Sequence, residues 1–122
     1  MTIEVKHASY LEARENLKSY RRLITQIHAD AGAFARSISR EVFDFIFIDA
    51  GKKETLEHFR IVWPRLAADG MIVVDDVVKF REKMEDFYEF LEEQGILYEI
   101  QMTDPDDGIM LIEKSSNLRV AI

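Results

Sequence analysis

At 122 residues, 48% hydrophobic and 32% charged, the chain has the size and balance of one compact globular domain rather than of a disordered segment. Its 23 acidic residues against 16 basic ones give a net charge of −7, which argues against a nonspecific nucleic-acid surface. The lack of cysteine excludes disulfides and thiolate metal sites, and no apolar run nears the roughly 18 residues of a membrane span, so the expectation is a soluble, cytoplasmic protein with no membrane partner.

Taken in chain order, "TIEV" (2–5) is short and β-prone. Tyr10, Ala13, Arg14 and Leu17 then recur at helical spacing among good helix formers. "LITQIHA" (23–29) reads as a strand, and "GAFARSISR" (32–40) as a short helix with Phe34 and Ile38 on one face. "VFDFIFID" (42–49) is the clearest strand of the chain. Leu56, Phe59, Trp63 and Leu66 mark a helix that Pro64 should interrupt or end early. "DG" at 69–70 predicts a turn into the apolar strand "MIVVD" (71–75). Phe80, Met84, Phe87 and Leu91 form the next amphipathic stripe, closed by Gly95 as a C-terminal cap. "ILYEIQM" (96–102) and "GIMLIE" (108–113) are strands joined by the hairpin turn "TDPDDG". Strands alternating with helices imply βαβ units, so the predicted class is α/β, Rossmann-like and doubly wound, with a mostly parallel sheet covered on both faces and a C-terminal antiparallel hairpin.

Ligands of open α/β sheets bind outside the carboxyl ends of the strands. Glu4, Asp30, Asp49 and Asp75, with Asp76 adjacent, all stand at or just past predicted strand ends, so parallel strands would gather them on one rim. Any single one of them is explained by capping the helix that follows; the full set points to a site. An acid placed as Glu4 is could accept hydrogen bonds from a ribose. Asp49, Asp75 and Asp76 offer hard oxygen ligands for Mg²⁺ or Ca²⁺. Lys52 lies three residues after Asp49 and would serve as a general base if its pKa were lowered; the plain alternative makes Lys52 and Lys53 solvated lysines at a helix start. His7, His28 and His58 lack the spacing of a zinc site and read as surface or helix-packing residues. Trp63 and the phenylalanines read as core, and "EKMEDFYEFLEEQ" as a solvated acidic helix face.

Several of these segments resemble one family. "IEVKHASYLEARENL" is similar to the strand and helix around the ribose-binding acid of class I S-adenosylmethionine-dependent methyltransferases, and "HADAGAF" to their adenine-side motif. "FDFIFIDAGKK" followed by "PRLAADGMIVVDDVV" resembles the cation-dependent O-methyltransferases, the group of catechol and caffeoyl-CoA O-methyltransferases, and "DPDDGIMLIEK" resembles their closing hairpin. The resemblance implies that Glu4 binds the ribose of S-adenosylmethionine and that Asp30 and Ala31 border its adenine. It implies that Asp49, Asp75 and Asp76 hold Mg²⁺ or another divalent cation, and that Lys52 takes the proton from the hydroxyl of a small aromatic or other acceptor. Asp76 stands where the family has asparagine, Gly51 where bacterial relatives often have aspartate, and Ala29 where glycine is usual.

The family's glycine-rich turn comes about 20 residues before the ribose acid, which here is residue 4. The expectation is therefore a C-terminal portion lacking the first strand and first helix: residues 1–114 as a partial class I methyltransferase domain and 115–122 as a tail. Its sheet would close on itself, or exposed strand edges would pair in a homo-oligomer, with "NLRVAI" (117–122) as one candidate pairing segment. The first functional expectation is a truncated O-methyltransferase. The alternative is a degenerate or partial domain without activity alone, acting in assembly or with a partner chain. A generic nucleotide-binding Rossmann domain and a receiver-like domain account less well for Asp49, Lys52 and Asp75.

Overall fold

The computed structural model describes residues 1–40 and 43–117, which fall into two compact units, Met1–Ile38 and Ser39–Ile122. In the first unit, β1 (Thr2–Glu4) leads into α1 (His7–Leu17), a 3₁₀ turn (Lys18–Tyr20), β2 (Gln26–His28) and α2 (Ala31–Arg36). β1 and β2 pair in parallel with Glu4 opposite His28, and the ladder extends one bond further, from the Ala29 N–H to the Glu4 carbonyl at 3.1 Å. The second strand is shorter than the sequence pattern suggests. Leu23 is 83% exposed, because the Leu23 and Ile24 N–H groups bond to the Tyr20 carbonyl and wind residues 20–24 into a turn. α1 has no buried residue, so its predicted stripe is only half covered; a unit this small has little interior to offer.

The second unit holds β3 (Phe43–Ile48), α3 (Thr55–Val62), β4 (Leu66–Val74), α4 (Glu85–Glu93), β5 (Glu99–Met102), β6 (Gly108–Glu113) and α5 (Lys114–Asn117). Its sheet runs in the order β3-β4-β6-β5, with β3 parallel to β4 and β6 antiparallel to both of its neighbours. One core fills the face carrying Ile48, Ile72, Val74, Met110 and Ile112, closed by Phe59 of α3 and Phe87 and Leu91 of α4. Each fully buried side chain of this size contributes about 1.5–3 kcal/mol. Glu85, Asp86, Glu89, Glu92 and Glu93 lie exposed on the opposite side of α4, the solvated acidic face its sequence implied. The Gly95 φ of 65° ends that helix in the left-handed conformation expected of its cap.

Three expectations are corrected here. Leu66 does not belong to the stripe of α3: Trp63–Arg65 tightens into a 3₁₀ turn around Pro64, and Leu66 opens β4. The "DG" pair at 69–70 does not precede the strand but lies inside it, where the β3–β4 register jumps from Phe43 opposite Leu66 to Phe45 opposite Met71. Finally, not every phenylalanine is core. Phe45 and Phe47 are 59% and 53% exposed, because β3 is the edge of its sheet and these residues alternate with Ile46 and Ile48, which take the helix-covered face.

Residues 118–122, and with them most of the "NLRVAI" segment, lie outside the described residues. Asn117 is described: its side chain receives the Leu97 N–H at 2.7 Å and donates to the Leu97 and Glu113 carbonyls, tying α5 to the chain ahead of β5. No helix among the described residues is long and apolar enough to cross a membrane.

Candidate active site

β3 and β4 run side by side and end level, with Ile48 opposite Val74. Asp49 and Asp75 are the next residues on each strand, so parallel pairing alone places both acids at one rim. The Asp75 N–H bonds to the Ile48 carbonyl at 3.1 Å and holds the rim closed. The chain then turns sharply at Asp76, whose φ is 55° and whose N–H bonds to Asp75 Oδ1 at 2.9 Å. Asparagine and aspartate are the non-glycine residues that best tolerate this left-handed geometry.

Carboxylate oxygens of Asp49, Asp75 and Asp76 all lie within 4.8 Å of one another. Lys52, on the 3₁₀ turn Lys52–Glu54, reaches into this cluster. Its Nζ lies 3.1 Å from Asp76 Oδ2 and 3.4 Å from Asp49 Oδ1, and donates to the Asp75 carbonyl at 3.4 Å. The Lys52 side chain is only 15% exposed, against 50% for Asp49. It is not the solvated lysine of the plain reading; Lys53 beside it is exposed. Three carboxylates facing one ammonium leave an excess of negative charge, and an all-oxygen set of this kind suits a hard divalent cation.

The other predicted site residues belong to the first unit. Glu4 ends β1, and its Oε1 receives the Lys6 N–H at 2.9 Å. Asp30 follows β2 by two residues and caps α2, accepting the Ala33 N–H on Oδ1 at 2.9 Å; Ala31 is the first residue of that helix. Glu4 and Asp30 thus stand at the carboxyl ends of two adjacent parallel strands, as Asp49 and Asp75 do in the second unit. Two histidines have partners of their own: His28 bonds to the Val5 carbonyl at 3.1 Å and stacks on Tyr10, while His58 is buried on α3 with its Nε2 3.8 Å from Glu54.

Sequence reasoning assigned Asp107 to a hairpin turn and nothing more. In the structure it is a buried carboxylate, 7% exposed, that accepts three backbone N–H bonds. Burial alone would push its pKa up, but the N–H groups of Lys79, Gly108 and Val78 outweigh this and hold it below the ordinary value of 3.8. The available signal was the Asp-Gly pair just before β6, which marks a turn without saying what the carboxylate bonds to.

Among solved structures, the chain is similar to the SAH-bound methyltransferase of Podospora anserina, at 20% identity and a TM-score of 0.78, over 91% of this chain and 58% of that one. It is similar to the O-methyltransferase TomG of Streptomyces achromogenes in complex with SAM, at 19% identity and a TM-score of 0.74, over 91% of this chain and 60% of that one. The O-methyltransferase of Bacillus cereus in complex with SAH matches at 21% identity and a TM-score of 0.68, over 92% of this chain and 61% of that one. The chain therefore spans less than two thirds of the length of these solved relatives. At such identities the likeness shows the fold, which is the α/β, Rossmann-like methyltransferase fold with a mixed sheet. A comparison with curated proteins gave no match. The profile of the family described as "Methyltransferase domain" matches residues 2–77, more than half of the sequence, and by that match the chain belongs to the methyltransferase-domain family.

Proposed function

We propose that this chain serves S-adenosylmethionine-dependent O-methyl transfer to the hydroxyl of a small-molecule acceptor, with a divalent cation at the second unit's acidic rim. The observation that carries this reading is the convergence of Asp49, Asp75 and Asp76 on Lys52 in a chain of the methyltransferase-domain family. Two solved relatives of like fold are O-methyltransferases, one in complex with SAM and the other with SAH. Their chemistry is what the acidic rim is proposed to support here.

In this reading Glu4 accepts hydrogen bonds from the donor's ribose, and Asp30 and Ala31 border its adenine. Asp49, Asp75 and Asp76 hold the cation. When bound there, a divalent cation would supply Lewis acidity that lowers the pKa of an acceptor hydroxyl. Lys52, as the neutral amine, takes the hydroxyl proton on Nζ and becomes the ammonium that the three acids beside it stabilise. The methyl group passes from sulfur to oxygen as the C–S bond breaks and the C–O bond forms. This leaves S-adenosylhomocysteine and a methyl ether. The protein contributes chiefly position and fixed charge.

Calorimetric titration of S-adenosylmethionine with and without Mg²⁺ tests both halves. The expected result is donor binding that Glu4→Ala weakens, together with Mg²⁺ binding that Asp75→Ala abolishes. No donor binding at millimolar concentration removes the donor half, and a chain indifferent to Mg²⁺ removes the metal half.

A further inference from the structure

We propose that Asp107, reaching across from the β5–β6 turn, is the positioning residue that fixes the backbone carrying Asp75 and Asp76. This rests on the reading of those acids as a metal site. Residues 75–80 belong to no strand or helix, so nothing periodic holds them in place. Asp76 moreover adopts a φ of 55°, a conformation that persists only where its surroundings over-determine it.

The hairpin supplies much of that determination. Asp107 Oδ1 accepts the Val78 N–H at 3.2 Å and the Lys79 N–H at 3.1 Å, and is itself oriented by the Gly108 N–H at 2.8 Å. The Gly108 carbonyl accepts the Val77 N–H at 3.1 Å, and the Val77 carbonyl accepts the Tyr88 hydroxyl at 2.6 Å. Three consecutive N–H groups after Asp76 are thus committed to Asp107 and Gly108. The turn that presents them is itself braced, because the Asp107 carbonyl accepts the Thr103 and Asp104 N–H groups at 3.1 and 3.3 Å.

The chemistry favours an acid at this position. A carboxylate oxygen accepts several N–H bonds at once, and charge-assisted bonds are stronger than neutral ones. With Val77 fully buried and Val78 and Lys79 held, Asp76 has little room to rotate, and its Oδ2 stays 3.1 Å from Lys52 Nζ. Asp107 touches neither donor nor acceptor in this scheme; it acts through Asp76.

The test uses the full chain and two readouts. Mn²⁺ binding, followed by the loss of the free-ion electron paramagnetic resonance signal, should weaken by about tenfold or more in Asp107→Ala, the range seen when outer partners of metal ligands are removed. Asp107→Asn, which keeps the Oδ1 acceptor, should restore most of the affinity. Amide hydrogen exchange without metal should quicken at Val78 and Lys79 in Asp107→Ala while the amides of β4 and α3 keep their rates. If Asp107→Ala does not fold, Asp107→Ser, whose hydroxyl is too short to span both amides, is measured the same way. Wild-type affinity for Mn²⁺ in the variant, or unchanged exchange at Val78 and Lys79, overturns the proposal. A wild-type chain that binds no Mn²⁺ overturns the metal reading instead, and the exchange rates still decide whether Asp107 fixes the loop.

Discussion

Lys52 and Asp76 meet at 3.1 Å across the ends of two neighbouring parallel strands, one contributed by the turn after β3 and the other by the bend after β4. The pair exists because the strands end level, and it sets the charge of the rim. Replacing Lys52 by methionine keeps the aliphatic stem but leaves Asp49, Asp75 and Asp76 facing each other without a cation. The loss of stability should be about 1 kcal/mol or less, since the side chains of Asp49 and Asp76 stay 50% and 35% exposed and solvent screens the pairs. Under the proposed function, methyl transfer falls by about 10²–10⁴, the usual contribution of a positioned base, while Mn²⁺ binding is retained or strengthened. A variant with wild-type turnover would remove Lys52 from the proton's path.

Asp30 answers to two descriptions at once, helix cap and adenine neighbour, and a pair of substitutions separates them. Asp30→Ala deletes the bond to the Ala33 N–H and should cost about 1 kcal/mol in a urea titration. Asp30→Ser preserves a capping oxygen and should recover most of that stability. If Asp30 also borders the donor, both variants bind S-adenosylmethionine more weakly; if it is only a cap, Asp30→Ser binds as the wild type does.

Gly70 has a steric reason to be glycine. A Cβ there would lie 2.7 Å from Leu66 Cδ1 and 2.8 Å from the Asp44 carbonyl oxygen, inside the stretch where β4 carries extra residues against β3. Backbone cannot yield as a side-chain tip can, so Gly70→Ala should destabilise by about 1–3 kcal/mol. Thermal unfolding followed by circular dichroism measures it; an unchanged midpoint would mean that the bulge relaxes freely.

That bulge also marks where the sequence stopped being readable. "DG" signals a turn, and both a turn before the strand and an irregularity within it satisfy the signal; only the pairing with β3 decides. The exposure of Phe45 and Phe47 was hidden for a related reason. An unbroken apolar run looks like a strand buried on both faces, whereas edge position is a property of the sheet and not of the segment. The acids of the second unit were legible because strand ends can be located from apolar runs, and parallel neighbours bring their ends together whatever the loops do. Asp107 was not, since its role depends on N–H groups 28 and 29 residues away in sequence.

Tyr88 joins α4 to the same loop. Its ring is 6% exposed and its hydroxyl donates to the Val77 carbonyl at 2.6 Å. Burial raises its pKa above the ordinary 10.0. Arg81, whose guanidinium lies 3.9 Å from the ring centroid, pulls the other way without prevailing, and Tyr98 and Asp107 add to the rise. The folded state therefore holds this proton more tightly than the unfolded chain. The stability it contributes is complete below pH 10.0, and it declines as the pH climbs from there through the folded value, because the unfolded chain releases the proton first. Tyr88→Phe removes the hydroxyl and with it this pH-dependent contribution. At neutral pH the variant should be weaker by about 1 kcal/mol for the lost hydrogen bond, and the gap to wild type should narrow as alkaline pH is approached. Urea unfolding of both proteins at about pH 8 and about pH 10.5 measures the gap, lysine and other tyrosine titrations being common to the two. A gap that widens with pH would show that the folded state favours the tyrosinate, and that Arg81 rather than burial governs this residue.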